Sequence, residues 1–183
     1  SHQKGLSEYD IHSNSFRTIY SGHTENKLIL PLFESGKNIW CWVPDKGCSL
    51  FDREKQTFID VISDSSFDNY LSAPFETAIA GNLLILRLTT SLLLKIDLVK
   101  KTMSTIIPSI KQLYFLDLEP YSKDTLLVAT SIGIEKLDLV TGFSVPVTGY
   151  KMVNRPLNSL SPVKLIRLSA QTYLVSEGTG IFE

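Results

Sequence analysis

Four aspartates divide the chain into near-equal lengths, and that regularity limits the fold more than any other feature. Asp10, Asp52, Asp97 and Asp138 stand 42, 45 and 41 residues apart. Each closes the same pattern: a short apolar segment, usually begun by glycine, then the aspartate, a polar turn and a second short apolar segment. The copies read "GLSEYDIHSNSFRTI" from Gly5, "GCSLFDREKQTFIDV" from Gly47, "LLLKIDLVKKTMSTI" from Leu92 and "GIEKLDLVTGFSVPV" from Gly133. A fifth copy begins as "GTGIFE" at Gly178. A period of about 40–45 residues made of short strands is the spacing of β-propeller blades, each a four-stranded sheet.

The stretch "NIWCWVPDKGCSLFDREKQTF", residues 38–58, shows how one repeat is built. Ile39 to Val43 is apolar, aromatic and β-branched, "PDKG" carries turn chemistry, and Cys48 to Phe51 is apolar again, which predicts a β-hairpin. The polar run "REKQ" after Asp52 then leads to a further strand at Thr57-Phe58-Ile59. Equivalent apolar strands are expected at Leu83 to Leu88, Leu126 to Thr130 and Tyr173 to Ser176. Weaker segments precede the four of them at Leu28 to Phe33, Phe75 to Ala80, Leu113 to Leu118 and Val163 to Leu168. Helical periodicity is hard to sustain anywhere over the usual ~10–12 residues. The prolines mostly sit at strand borders, where a missing N–H is tolerated.

Pairing Pro44 with Gly47 across the turn puts Trp40, Trp42 and Phe51 on one face and Ile39, Cys41, Val43, Cys48 and Leu50 on the other. Both faces are apolar, as expected of an inner blade strand covered on each side by a neighbouring blade. The expected fold is all-β: a β-propeller arc of about four blades, with repeats near 5–19, 28–62, 75–107, 112–147 and 163–183. Its strands count as two, then three full blades, then three, which reads as an arc of a larger propeller. Cut edges of an arc expose unpaired strand N–H and C=O groups, so self-association of this segment is expected.

Composition narrows the partners. Eighteen Lys and Arg against nineteen Asp and Glu leave a net charge of -1, which offers no general electrostatic pull toward nucleic acid or an anionic membrane. The most apolar run, "LLILRLTTSLLLKIDL" from Leu83, contains Arg87, Lys95 and Asp97 and falls short of the roughly 20 apolar residues that a spanning helix needs. The opening "SHQKG" has no signal-peptide pattern, and Ser1 and His2 read as the remnant of a cleaved tag.

No residue constellation points to a reaction. Cys41 and Cys48 form a C-x6-C pair with no second pair or histidine nearby, so a zinc site lacks ligands. Buried free thiols are expected, with Cys41 opposite Leu50 and a disulfide disfavoured. The aspartate series is explained by hydrogen bonds from each carboxylate to its turn backbone. On separate blades these aspartates cannot make the carboxylate pair, roughly 5–9.5 Å apart, that glycoside hydrolysis requires. His2 is vector-derived on this reading, and His12 and His23 lie in polar loop sequence. There is no Ser-His-Asp spacing, no G-x-S-x-G and no phosphate-binding loop; "GTG" at Gly178 to Gly180 is too short to cradle phosphate. Trp40 and Trp42 are the sugar-stacking candidates by type, yet an inner strand makes them packing residues. The expectation is therefore no catalytic residue, no metal and no cofactor, with ligand-contacting residues unidentified.

"NIWCWVPDKGCSLFDREKQTF" and "TLLVATSIGIEKLDLVTGF" resemble the two-component regulator propeller repeat. Its typical form is an Ile-Trp-Ile-Gly-Thr strand, a Gly-Leu-x-x-Tyr/Phe-Asp strand and a Thr-x-x-Phe strand. The resemblance extends over all four repeats. It is strongest at Ile39 to Phe58 and Leu126 to Phe143, and weakest at Leu83 to Leu98, where "LRLTTS" replaces the glycine elements. It implies the periplasmic sensor half of a hybrid two-component system of gut Bacteroidetes, typically two seven-bladed propellers followed by an immunoglobulin-like domain, a membrane helix and kinase parts. The implied function is non-catalytic sensing of a carbohydrate-derived signal such as an oligosaccharide. The implied partners are the remaining blades and domains of the receptor, without membrane contact by this segment. A second resemblance, to the citron-homology propeller of intracellular scaffolds, rests on "QTYLVSEGTGIFE" in the last repeat alone.

Overall fold

The computed structural model describes residues 5–21, 29–43, 46–63, 74, 76–107, 114–131, 133–147, 164–169, 172–177 and 180–182. Every regular element among them is a β-strand, and every sheet is an antiparallel meander of strands consecutive in sequence. The chain divides into two compact units, Ser1–Ala73 and Pro74–Glu183.

In the first unit β1 (Gly5–Asp10) and β2 (Ser15–Ser21) form a two-stranded sheet. Strands β3 (Leu30–Ser35), β4 (Asn38–Val43), β5 (Gly47–Asp52) and β6 (Thr57–Ile62) form a four-stranded one in chain order. The middle strands carry the apolar runs: β4 is buried without a break from Ile39 to Val43. Leu6 and Ile19 of the small sheet share a core with Ile39, Cys41, Val43 and Phe51 of the large one. Phe51 meets Tyr20 and Phe58 edge-on, with ring centroids 5.4 and 5.3 Å away. Edge-to-face contacts of this kind add to what area burial alone contributes.

The β4–β5 hairpin corrects the expected register. Val43, rather than Pro44, pairs with Gly47, and the Lys46 N–H donates to the Val43 carbonyl at 3.0 Å. Gly47 takes φ +84°, a backbone conformation open to glycine, and the connection closes with one more residue than the two expected. A one-residue slip moves a strand's side chains to the opposite face. Phe51 therefore joins Ile39, Cys41 and Val43, while Cys48 and Leu50 join Trp40 and Trp42. Cys41 opposes Ser49, not Leu50.

The second unit holds two complete sheets and part of another. The first consists of β7 (Glu76–Ala80), β8 (Leu83–Thr89), β9 (Leu92–Asp97) and β10 (Thr102–Ile106); the second of β11 (Phe115–Ser122), β12 (Thr125–Thr130), β13 (Gly133–Asp138) and β14 (Ser144–Pro146). Strands β15 (Lys164–Arg167), β16 (Tyr173–Glu177) and β17 (Gly180–Phe182) make the third. Among the described residues the strand count of two, four, four, four and three is the one the repeat predicts.

Alternation along β12 shows how the sheets stack. Leu126 and Val128 pack into a core with Ile85 and Leu93 of the preceding sheet, whereas Leu127 and Ala129 pack with Leu165 and Val175 of the following one. A strand that serves a core on each face is apolar on both, which is why β12 reads as a continuous hydrophobic run and β8 and β9 are apolar but for Arg87, Lys95 and the closing Asp97. Full burial of each such leucine contributes about 1.5–3 kcal/mol. The last strands of the sheets are more exposed, with Val61 and Val145 open to solvent.

Candidate functional site

In the second unit the first strands of three successive sheets are neighbours: β11 lies between β7 and β15. Each brings a charged side chain to the same place. Lys164 Nζ lies 2.9 Å from Glu76 Oε1 and 2.6 Å from Asp117 Oδ1, and the Leu165 N–H donates to Asp117 Oδ2 at 2.5 Å. From β8, Arg87 Nε approaches Glu76 Oε2 to 3.3 Å while Arg87 Nη1 donates to the Phe115 carbonyl at 3.1 Å. Asp117 is buried, Glu76 keeps 12% of its side chain exposed, and Lys164 keeps 57%.

This geometry sets the acid–base chemistry. Burial, followed by the Asp117 carboxylate beside it, pushes the Glu76 acid up to about 7, against the opposing pull of Lys164. Burial works against the Lys164 ammonium, but its bonds to Asp117 and Glu76 outweigh that and raise it. Further along β11, burial and then Asp117 raise the Glu119 acid. Beyond this cluster, Tyr121 and Tyr173 stack at 6.5 Å, with Lys136 Nζ 4.3 Å above the Tyr121 ring.

A cleft of about 620 Å³ opens where the turns of the first two sheets of this unit meet. Asn82, Lys95, Asp97, Lys100, Thr102 and Lys123 are among its lining residues, and Lys95 Nζ spans to the Leu139 carbonyl at 2.7 Å.

The residues singled out from sequence are not brought together. Asp10, Asp52, Asp97 and Asp138 each accept two backbone N–H bonds in their own turn; for Asp138 these come from Val140 and Thr141 at 2.8 and 2.7 Å. Such bonds favour the charged form and lower the acids, led at Asp52, Asp97 and Asp138 by the N–H three residues on and at Asp10 by the Ser13 hydroxyl.

Trp40 and Trp42 are buried, Trp40 stacked on Phe33 at 6.5 Å, so neither offers an open ring to a ligand. Cys41 and Cys48 are free, fully buried and on opposite faces of their hairpin. Burial pushes both thiols up to about 12. His12 is exposed and only its backbone N–H enters the Asp10 turn. His2, His23, Gly178 and Thr179 lie outside the described residues. Among the described residues no group of three or more His, Cys, Asp or Glu is placed to hold a metal ion.

Sequence reasoning missed Glu76, Asp117 and Lys164. A signal existed: three of the four weak segments, at "FETAIA", "FLDLEP" and "VKLIRL", carry a charged residue among apolar ones, whereas Leu28 to Phe33 carries none.

No family model matches the chain, and no curated protein matches it. Solved structures do. The chain superposes on the extracellular domain of a B. thetaiotaomicron one-component system with TM-score 0.58 and 16% identity, over 98% of this chain and 24% of that one. It superposes on the computationally designed Ika4 protein at 0.57 and 13% identity, over 91% and 97%. The N-terminal domain of Nup159 gives 0.57 and 13% identity, over 90% and 42%. At these identities the likeness shows the fold, and the fold is an arc of β-propeller blades. The chain spans about a quarter of the bacterial extracellular domain.

Proposed function

We propose that the chain is a ligand-sensing, extracytoplasmic propeller module of a two-component signalling receptor, non-catalytic in itself and tuned to a carbohydrate-derived signal. The observation that carries this reading is the match of 98% of the chain to part of a bacterial extracellular domain, together with a blade repeat that resembles the regulator type. Each repeat aspartate is engaged in its own turn and both thiols are buried, which supports a reading of binding rather than turnover at these residues. Its partners are the other blades and domains of the parent receptor, which supplies the membrane helix and the histidine kinase, and copies of the segment associate through open strand edges.

Fusion of the parent protein to alkaline phosphatase, an enzyme active only outside the cytoplasm, tests the location. Phosphatase activity is the expected result. An inactive, stable fusion with the module in the cytosol would move the assignment to an intracellular interaction propeller. Sedimentation of the 183-residue chain tests the association; a monomer at high concentration would count against it.

A further inference from the structure

We infer that Glu76, Asp117 and Lys164 form a proton-operated clasp across three consecutive blades, with one exchangeable proton held between the two carboxylates. The placement carries the inference. The three side chains come from β7, β11 and β15, the first strands of successive sheets, and no other described contact joins all three. Asp117 accepts at both oxygens, Oδ1 from Lys164 and Oδ2 from the Leu165 N–H, which fixes its place between β11 and β15. Glu76 is the partner that changes state. Protonated, it donates to Asp117 and draws β7 to β11; ionised, it repels Asp117 and competes with it for the same ammonium.

Charged groups reach this point from each neighbouring strand. Arg87 comes from β8, Asp117 and Glu119 from β11, and Lys164 and Arg167 from β15; β7 has no other ionisable residue. Arg167 is directed to the Pro120 and Ser169 carbonyls, which leaves Arg87, Asp117 and Lys164 to set the behaviour of Glu76. Burial and Asp117 favour the proton and Lys164 opposes it. The clasp is therefore tighter on the acid side and looser on the alkaline side, and the cohesion of three blades responds to protons near neutrality. A module of this kind would couple its rigidity to the pH of its compartment.

The test is an amide NMR titration of the 183-residue chain from about pH 5.5 to about pH 8.5, bracketing the Glu76 transition. The Leu165 N–H, bonded to Asp117, is the reporter. Its resonance is expected to shift with one midpoint near pH 7. Glu76→Gln is expected to abolish that transition. Lys164→Met, at a largely exposed side chain, is expected to raise the midpoint by removing the charge that favours the carboxylate. A Leu165 resonance that is flat over this range, or moves only below about pH 5, overturns the clasp. So does a transition that survives in Glu76→Gln, or a midpoint unmoved in Lys164→Met. If Glu76→Gln does not fold, the native and Lys164→Met titrations decide the matter.

Discussion

Phe51→Ala should unfasten the small sheet of the first unit from the large one. Phe51 is fully buried, shares a core with Leu6 and Ile19 from β1 and β2, and lies edge-on to Tyr20 and Phe58. Truncating a buried phenylalanine costs about 3–5 kcal/mol through lost transfer energy and the cavity left behind, and losing two edge-to-face partners places this site toward the upper part of that range. The assay is urea unfolding followed by tryptophan fluorescence. Both tryptophans of the chain, Trp40 and Trp42, lie in β4, so the signal reports this unit. With a slope of about 2 kcal/mol per molar urea, the midpoint should fall by about 2 M. Phe16→Ala is the control: Phe16 is 78% exposed, and its removal should change stability by less than about 0.5 kcal/mol. A Phe51→Ala loss below about 1 kcal/mol, or one equal to that of Phe16→Ala, would refute the packing of the two sheets through this ring.

Three further outcomes follow from the same structure. Cys41 and Cys48 should resist iodoacetamide in the native protein and react together on unfolding, as counted by mass spectrometry, because both thiols are buried and pushed up to about 12. Asp138→Ala should lower Tm by less than Phe51→Ala does. Since this carboxyl is held below its ordinary value, its contribution is present above the unfolded pKa and is lost as pH falls through the folded one, so the two proteins should converge in calorimetry in strong acid. Glu76 has the opposite sign: its acid is raised to about 7, so its contribution is complete below the ordinary glutamate value and is lost as pH rises through about 7. Over that interval the chain should lose on the order of 3 kcal/mol, a slope that Glu76→Gln should flatten in chemical denaturation.

The blades were legible because their determinants are local. Asp52, Asp97 and Asp138 each end the third strand of a four-stranded sheet, Asp10 ends the first strand of the two-stranded one, and all four are bonded to the turn that follows, so one residue type marks the start of the same turn in every repeat. Strands β4 and β12 were visible as unbroken apolar runs, and β8 as one interrupted only by Arg87, because a sheet covered on both faces has no polar side to show. The β4–β5 register was misread for an equally local reason: Gly47 at positive φ permits a longer turn, and an apolar pattern on both faces gives no alternation to fix the pairing. The charges at Glu76, Asp117 and Lys164 stand out within their apolar segments, but their meeting was not legible. They are 41 and 47 residues apart and meet only because the first strands of successive sheets come together, a relation that no single segment displays.

The sensing assignment rests on whether a saccharide binds. Isothermal titration of the complete propeller-bearing protein with a panel of plant and host oligosaccharides, with the recovered sugars analysed by mass spectrometry, tests it most directly. The account predicts saturable binding of one saccharide class, recovered uncleaved. Absence of binding across the panel by a folded protein, or cleavage of any member of it, would contradict the account.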